Sequence, residues 1–232
     1  MTKYTGPILK RYRGLGEEFA LAADRAVAEK FKKAQRKLPP GMHGKKTSVR
    51  KLTQYGFQLL EKQKAKTFYL LNERQLKNYY KKAAKEAGST SDRLVGVLET
   101  RLDNLIYRSG ALDSHRAARQ LISHAHVLVN GRGVRVASYA VKPGEVISFE
   151  KASSGLKSRL KENLARNLAP EYLKIDKEKL TVELLRVPIR EEVELPLDEK
   201  LIIEFYSRWG CKFVKLLILT ILWGYVRRNY FT

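Results

Sequence analysis

The stretch SHRAARQLISHAHVLVNG, Ser114 to Gly131, changes its hydrophobic period from helical to extended within 18 residues. Ser114 suits a helix N-cap, because its side-chain oxygen can accept an otherwise unpaired backbone N–H. Ala118, Leu121 and Ile122 then share one stripe of a helix running from His115 to about Ser123. From Val127 the apolar positions alternate, Val127 then Val129, and Asn130-Gly131 are the residues a tight hairpin turn with positive φ favours. Val134 and Val136 alternate again, and Pro143-Gly144 turns the chain into Val146, Ile147 and Phe149. A small antiparallel sheet backed by helices follows. The same stretch is basic. Arg116 and Arg119, three apart, share a helix face, Arg132 and Arg135 come off the hairpin, and His124 and His126 lie between them. Cations converging from a helix and a hairpin can hold phosphates on two sides of a folded RNA, whose shape and backbone are easier to read than its deep major groove. The plainer reading is a solvated basic face on a core helix.

Upstream, the periodicity predicts one helix from Asp92 to Arg108, N-capped by Ser91, with Leu94, Leu98, Leu102, Leu105 and Ile106 inward and Gly110 closing its end. A helix from Asn72 to about Lys85 carries Leu76, Tyr79, Tyr80 and Ala83 on its buried stripe and stops near Gly88. Another begins at Thr53, with Tyr55, Leu59, Leu60 and Gln63 on one face. Tyr55 and Tyr79 read as core residues rather than base-stacking platforms. Residues 1–45 mix Gly, Pro and basic residues around one loosely periodic stretch, Glu17 to Lys33, and read as an arm ending at Pro39-Pro40-Gly41, which cannot propagate a helix. Downstream, Lys151 to Asn167 reads as a basic surface helix, and Tyr172 to Val187 as a hairpin around Asp176 to Lys179. Leu201 to Tyr206 reads as a strand or short helix.

The predicted class is α+β. A helical N-terminal domain over 46–93, completed by 186–208, joins a small RNA-binding module over 94–185, in which two helices pack on a short antiparallel sheet. The basic arm, 1–45, precedes them, and an apolar extension, 209–232, follows.

Composition narrows the partner. Among 232 residues Lys plus Arg number 46 and Asp plus Glu 24, a formal net charge of +22. Residues 1–93 hold 23 of those cations against 8 carboxylates. So much like charge repels itself, and a polyanion is its usual reason, nucleic acid ahead of an anionic membrane surface. One cysteine, Cys211, excludes an intramolecular disulfide and a multi-cysteine zinc site. The first 13 residues hold no apolar run of secretory length, so no export is expected.

Several motifs together resemble the small-subunit ribosomal protein S-four family. Arg116 to Gly131, followed by Ala137 to Gly144, is similar to the RNA-binding module named after it. The flanks extend the likeness over residues 1–208: Tyr4-Thr5-Gly6-Pro7, Pro39 to Gly44, Tyr55 to Lys64, Glu73-Arg74-Gln75 with Asn78-Tyr79-Tyr80, Arg101 to Asn104 with Tyr107-Arg108, and Glu204 to Ser207. The resemblance implies a non-enzymatic primary binder of small-subunit ribosomal RNA that clamps a multi-helix junction in the RNA's 5′ domain. Its further implications are nucleation of subunit assembly, contact with ribosomal protein S-five, a place near the messenger RNA entry path and an influence on decoding accuracy. It places the protein in a cytoplasmic ribosome, with a plastid or mitochondrial one as the alternative, and off the membrane. Carried over by position, the RNA contacts are Lys45, Lys46, Arg50 and Lys51 after the arm, and Lys62, Lys64, Arg74 and Lys77 on the first two helices. Arg101, Arg108, Arg116, Arg119, His124 and Arg132 complete the set within the module.

Three departures from the family pattern stand out. Ile8 to Leu15 hold none of the cysteines with which many members bind zinc, so no metal or other cofactor is expected. Gly133 and Arg135 replace a basic and an acidic residue common in the hairpin, which leaves contacts at that turn open. Finally, the chain runs 24 residues past Arg208. Its uncharged run Leu216 to Val226 has 11 residues, about half of the ~20 a bilayer span needs, so a membrane anchor is not expected. His124 and His126 at a strand start would point to opposite faces and make poor joint metal ligands. The alternative is an RNA-modifying enzyme, since Arg101-Leu102-Asp103 is similar to the nucleophile motif of pseudouridine synthases. The following Asn104-Leu105-Ile106 does not continue that motif, and Asp103 reads better as an ion-paired or helix-surface aspartate.

Overall fold

The computed structural model describes residues 4, 6–35, 37–41, 52–86, 88–149, 153–193 and 197–208. His43, Lys45, Lys46, Arg50, Lys51, Cys211 and the apolar run Leu216 to Val226 lie outside the described residues.

The elements in order are α1 (Ile8–Leu15), α2 (Glu17–Ala22), α3 (Arg25–Lys33), α4 (Gln54–Phe68), α5 (Glu73–Lys85), α6 (Thr90–Glu99), α7 (Leu102–Arg108) and α8 (His115–Ser123). Next come β1 (Leu128–Val129), β2 (Arg132–Gly133), β3 (Val146–Ser148), α9 (Ser154–Arg166), β4 (Leu173–Asp176) and β5 (Thr181–Leu184). A 3-10 turn at Arg190–Glu192 leads to a helical stretch over 199–208.

Two hydrophobic cores form. The first is helical, built from Tyr12, Phe19, Phe31, Phe68, Leu76, Leu94, Leu98, Ile202 and Phe205. The second belongs to the module, where Leu105, Ile106, Ile122, Ile147, Phe149, Leu160 and Val182 meet. The sheet is antiparallel throughout, in the order β2-β1-β3-β5-β4. Asn130 and Gly131 both take positive φ, 48° and 77°, as the hairpin turn requires. The extended pairing stops at Gly133, short of Val136, which stays exposed.

The expected arm is, in its described part, three helices of the helical core, since Tyr12, Phe19, Val27 and Phe31 are all buried. The stretch 17–33 breaks at Ala23-Asp24 because the Asp24 carboxylate turns inward to bond His115 of α8. The expected helix 92–108 also divides. Arg101 is extended and bridges Ala140, Leu102 N–H donates to Tyr139, and Val141 N–H donates to Thr100. A short β-like pairing to the module thus interrupts the helical ladder, and α6 falls in the helical core beyond the expected boundary at 93. Its N-cap is Ser89, whose hydroxyl accepts from Asp92 N–H, not Ser91.

Thr53 caps α4 as its position suggests, but the buried face is turned toward Gln58, Glu61, Lys62, Ala65 and Phe68. Tyr55 is therefore 49% exposed, with its ring 5.9 Å from that of Phe205. Polar residues occupy that face because the returning chain over 197–208 supplies partners for them. Gln58 donates to Glu204 at 2.8 Å, and Glu61 accepts from Asp198 N–H at 3.0 Å. Helix α9 is only half a surface helix. Leu160 and Leu164 are buried, while Asn163 and Asn167 donate to the Ala111 and Gly110 carbonyls at 3.0 and 2.9 Å.

Candidate nucleic-acid interface

Between the two cores runs a buried polar seam built from residues of both. Glu99, at the end of α6, is fully buried and accepts from the Tyr69 hydroxyl at 2.6 Å, Asn104 Nδ2 at 2.6 Å, and Arg108 through two bonds of 3.0 Å. The Asn104 amide is oriented by these donations, so its oxygen faces His115 Nε2 at 3.0 Å. Nδ1 of His115 meets the Asp24 carboxylate. Both ring nitrogens of His115 are thus held by polar partners from the two cores. Burial alone would lower the Arg108 pKa, but the Glu99 charge and its hydrogen bonds outweigh that and raise it. Tyr69 is raised by burial first and then by Glu99.

A second cluster lies alongside. Arg101 grips both oxygens of Asp103, at 3.1 and 2.9 Å, and also bonds the Tyr79 hydroxyl on α5. Arg119 reaches from α8 to Asp103 at 2.7 Å and to the carbonyls of Leu70 and Tyr69 at 2.7 and 2.9 Å. Leu70 holds a positive φ of 50°, which forms the turn that offers these carbonyls between α4 and α5. Two forked guanidinium groups on one carboxylate make a rigid joint, because their planar donors match its lone pairs. Asp103 is itself buried with both oxygens occupied, so it presents no nucleophile to a substrate.

The carried-over residues therefore divide. Arg101, Arg108 and Arg119 turn inward and spend their charge on Asp103 and Glu99. On α4, Lys62 is buried under the Phe205 ring with its ammonium 3.1 Å from Glu73, and Lys64 pairs with Glu61 at 2.6 Å. Arg74, Lys77, His124 and Arg132 are exposed, and Arg116 is half-buried. Arg116 donates to the Tyr4 carbonyl at 3.1 Å, and its guanidinium lies over the Tyr4 ring, which Arg11 also approaches. His124 ends α8 and does not start a strand, so the two imidazoles do not lie on opposite faces. Their centroids are 6.1 Å apart.

Two sets of cations stand out on these elements. On α5, Arg74, Lys77, Lys81 and Lys85 recur every three or four residues and make one basic row, of which only the first two are among the expected contacts. The spacing was there to be read. On the module, His124, Arg132 and Arg135 follow the end of α8 and the hairpin, with half-buried Arg116 at the start of α8. Tyr79 ties α5 to Arg101, and Arg119 ties α8 to the chain entering α5, so the joint beneath holds the elements that carry both sets.

Comparison with known proteins follows this division. Residues 3–99 match the family described as the ribosomal protein S4/S9 N-terminal domain, and residues 100–147 match the S4 domain. The change from one to the other falls at the Glu99–Arg101 seam. The small ribosomal subunit protein uS4A of Alkaliphilus metalliredigens is 42% identical over 210 residues, covering 90% of this chain and all of that protein. The uS4A protein of Symbiobacterium thermophilum and the uS4 protein of Dictyoglomus turgidum are each 41% identical, with the same coverage. Both halves match in order and the relatives align along their entire length, so this chain belongs to the small-subunit ribosomal protein S4 family.

Proposed function

We propose that the protein is a structural constituent of the small ribosomal subunit that binds its RNA directly and catalyses nothing. The observation that carries this reading is the pair of cationic surfaces, on α5 and on the module, fixed to each other by a buried joint. Electrostatic capture by such surfaces displaces counterions from the RNA, and a fixed angle between them selects its shape. The target is a multi-helix junction in the 5′ domain of small-subunit RNA, where early docking would nucleate assembly. Leu52, Tyr55 and Phe57 are all exposed around the start of α4, which suits a protein neighbour. Ribosomal protein S-five is the neighbour the family resemblance implies, with messenger RNA close by and decoding accuracy affected through that contact.

The RNA contacts assigned to surface residues are Arg74, Lys77, Arg116, His124 and Arg132, with Lys45, Lys46, Arg50 and Lys51 completing the set. Arg101, Arg108 and Arg119 act as positioning residues. Titration of a 5′-domain junction RNA against salt tests this. Arg74→Ala with Lys77→Ala, and separately Arg116→Ala with Arg132→Ala, should each weaken binding and flatten the log-log salt slope by roughly 0.7–0.9 per lost phosphate contact. Unchanged affinity and slope in both pairs would sink the reading.

A further inference from the structure

The side of the module where α9 meets the β4–β5 turn plays no part in the interface above. Ser154, Lys157, Ser158 and Lys161 lie one helical turn apart on a single face of α9, and Glu178 and Lys179 approach from the turn. Together they line an open cavity of about 310 Å³.

Its chemistry favours an oxyanion. Three ammonium groups face one carboxylate, and neither Lys157 nor Lys161 has an ion-pair partner among the described residues. Asp176, the other acid of the turn, spends Oδ1 on the backbone N–H groups of Glu178 and Lys179. The start of α9 adds an independent feature. The Ser153 hydroxyl makes no capping bond, no acidic residue stands in the first turn, and the space where Gly155 would carry a Cβ is open. Among the described residues no side chain caps the first N–H groups of the helix, which lie with the positive end of its dipole beside the lysines, an arrangement that suits a phosphate. Phe149 and Leu180 line the cavity as well, and a cationic ligand would meet three like charges there.

We propose that this cavity receives a backbone phosphate of the RNA, giving the module a second grip distinct from α8 and the hairpin. The inference rests on the RNA-binding reading. It predicts that the full-length triple variant Lys157→Gln, Lys161→Gln, Lys179→Gln keeps its circular dichroism spectrum but binds small-subunit 5′-domain RNA with a slope flatter by roughly 0.7–0.9 for each phosphate lost. A second readout uses Ser158→Cys in a Cys211→Ser background, with a tethered iron chelate that should cut the bound RNA beside α9. Flattening together with cutting supports the proposal, and loss of either overturns it. If the parent chain binds with a steep slope that the triple variant reproduces, the cavity fails and the RNA reading stands. A parent without salt-sensitive binding removes both. Tripolyphosphate shifting the Gly155 amide resonance, with the RNA slope unchanged, would reassign the cavity to a free polyphosphate and overturn the RNA assignment.

Discussion

At Glu99 three residues deliver four hydrogen bonds to one fully buried carboxylate. Removing one partner of a buried charge pair leaves the other uncompensated, at a cost of about 3–5 kcal/mol. Glu99→Ala should lose stability on that scale in urea unfolding, because the Arg108 guanidinium would be stranded. Glu73 carries a pH signature. Partial burial raises its pKa, but hydrogen bonds from Lys66, Tyr206 and Lys62 outweigh that and lower it. A lowered folded-state value means that the ionised group stabilises the fold above the ordinary carboxylate range, and that this contribution disappears as pH falls through the lowered value. Wild type should therefore exceed Glu73→Gln in stability near neutrality, and the gap should close in acid. Which arginines face solvent was not legible in the sequence. Arg101, Arg108 and Arg119 have the same chemistry as Arg74, and only the positions of Asp103 and Glu99 in space separate them.

Helices whose stability comes from an apolar stripe were legible as elements. α5 and α8 match their expected spans to within one residue, and the serine cap of α8 is in place, with Ala117 N–H donating to Ser114 at 3.2 Å. Breaks imposed by distant partners were not. Nothing near Asp24 announces His115, and nothing near Arg101 announces Ala140. The same holds for α1 to α3, whose weak local pattern hid a set of core residues completed by α4 and the 199–208 helix. If those helices are core rather than arm, Phe31→Ala should cost about 3–5 kcal/mol in denaturant unfolding, whereas an arm residue would cost almost nothing. Gly110 joins α7 to the loop that α9 buttresses. Its φ is 80°, and an added Cβ would lie 2.6 Å from Asn167. Gly110→Ala should lose about 1–3 kcal/mol from strain alone, and more as Asn167 is pushed off its carbonyl, as a thermal melt would register.

For the molecule as a whole, the net charge of +22 pointed to a polyanion, and the structure gives the positive charge of the basic side chains two uses. Part is neutralised inside, where it joins the cores, and part remains on the surface. Because the seam is shared, the two cores should unfold together. Native-state hydrogen exchange should give Leu76 and Ile147 amides the same opening free energy, and a module exchanging at much lower free energy would show that the seam does not couple them. The helical core also has a feature of chain order. It begins at Tyr12 and is completed by Ile202, Phe205 and Tyr206, whereas every strand of the sheet lies between residues 128 and 184. As the chain emerges from the ribosome that makes it, the inserted module can finish folding while the surrounding helices still lack their last wall. A nascent chain stalled with the sheet outside the exit tunnel and residues 199–208 still inside it should resist protease over the sheet and yield at α1 to α3, with protection reaching its own beginning only when the end arrives.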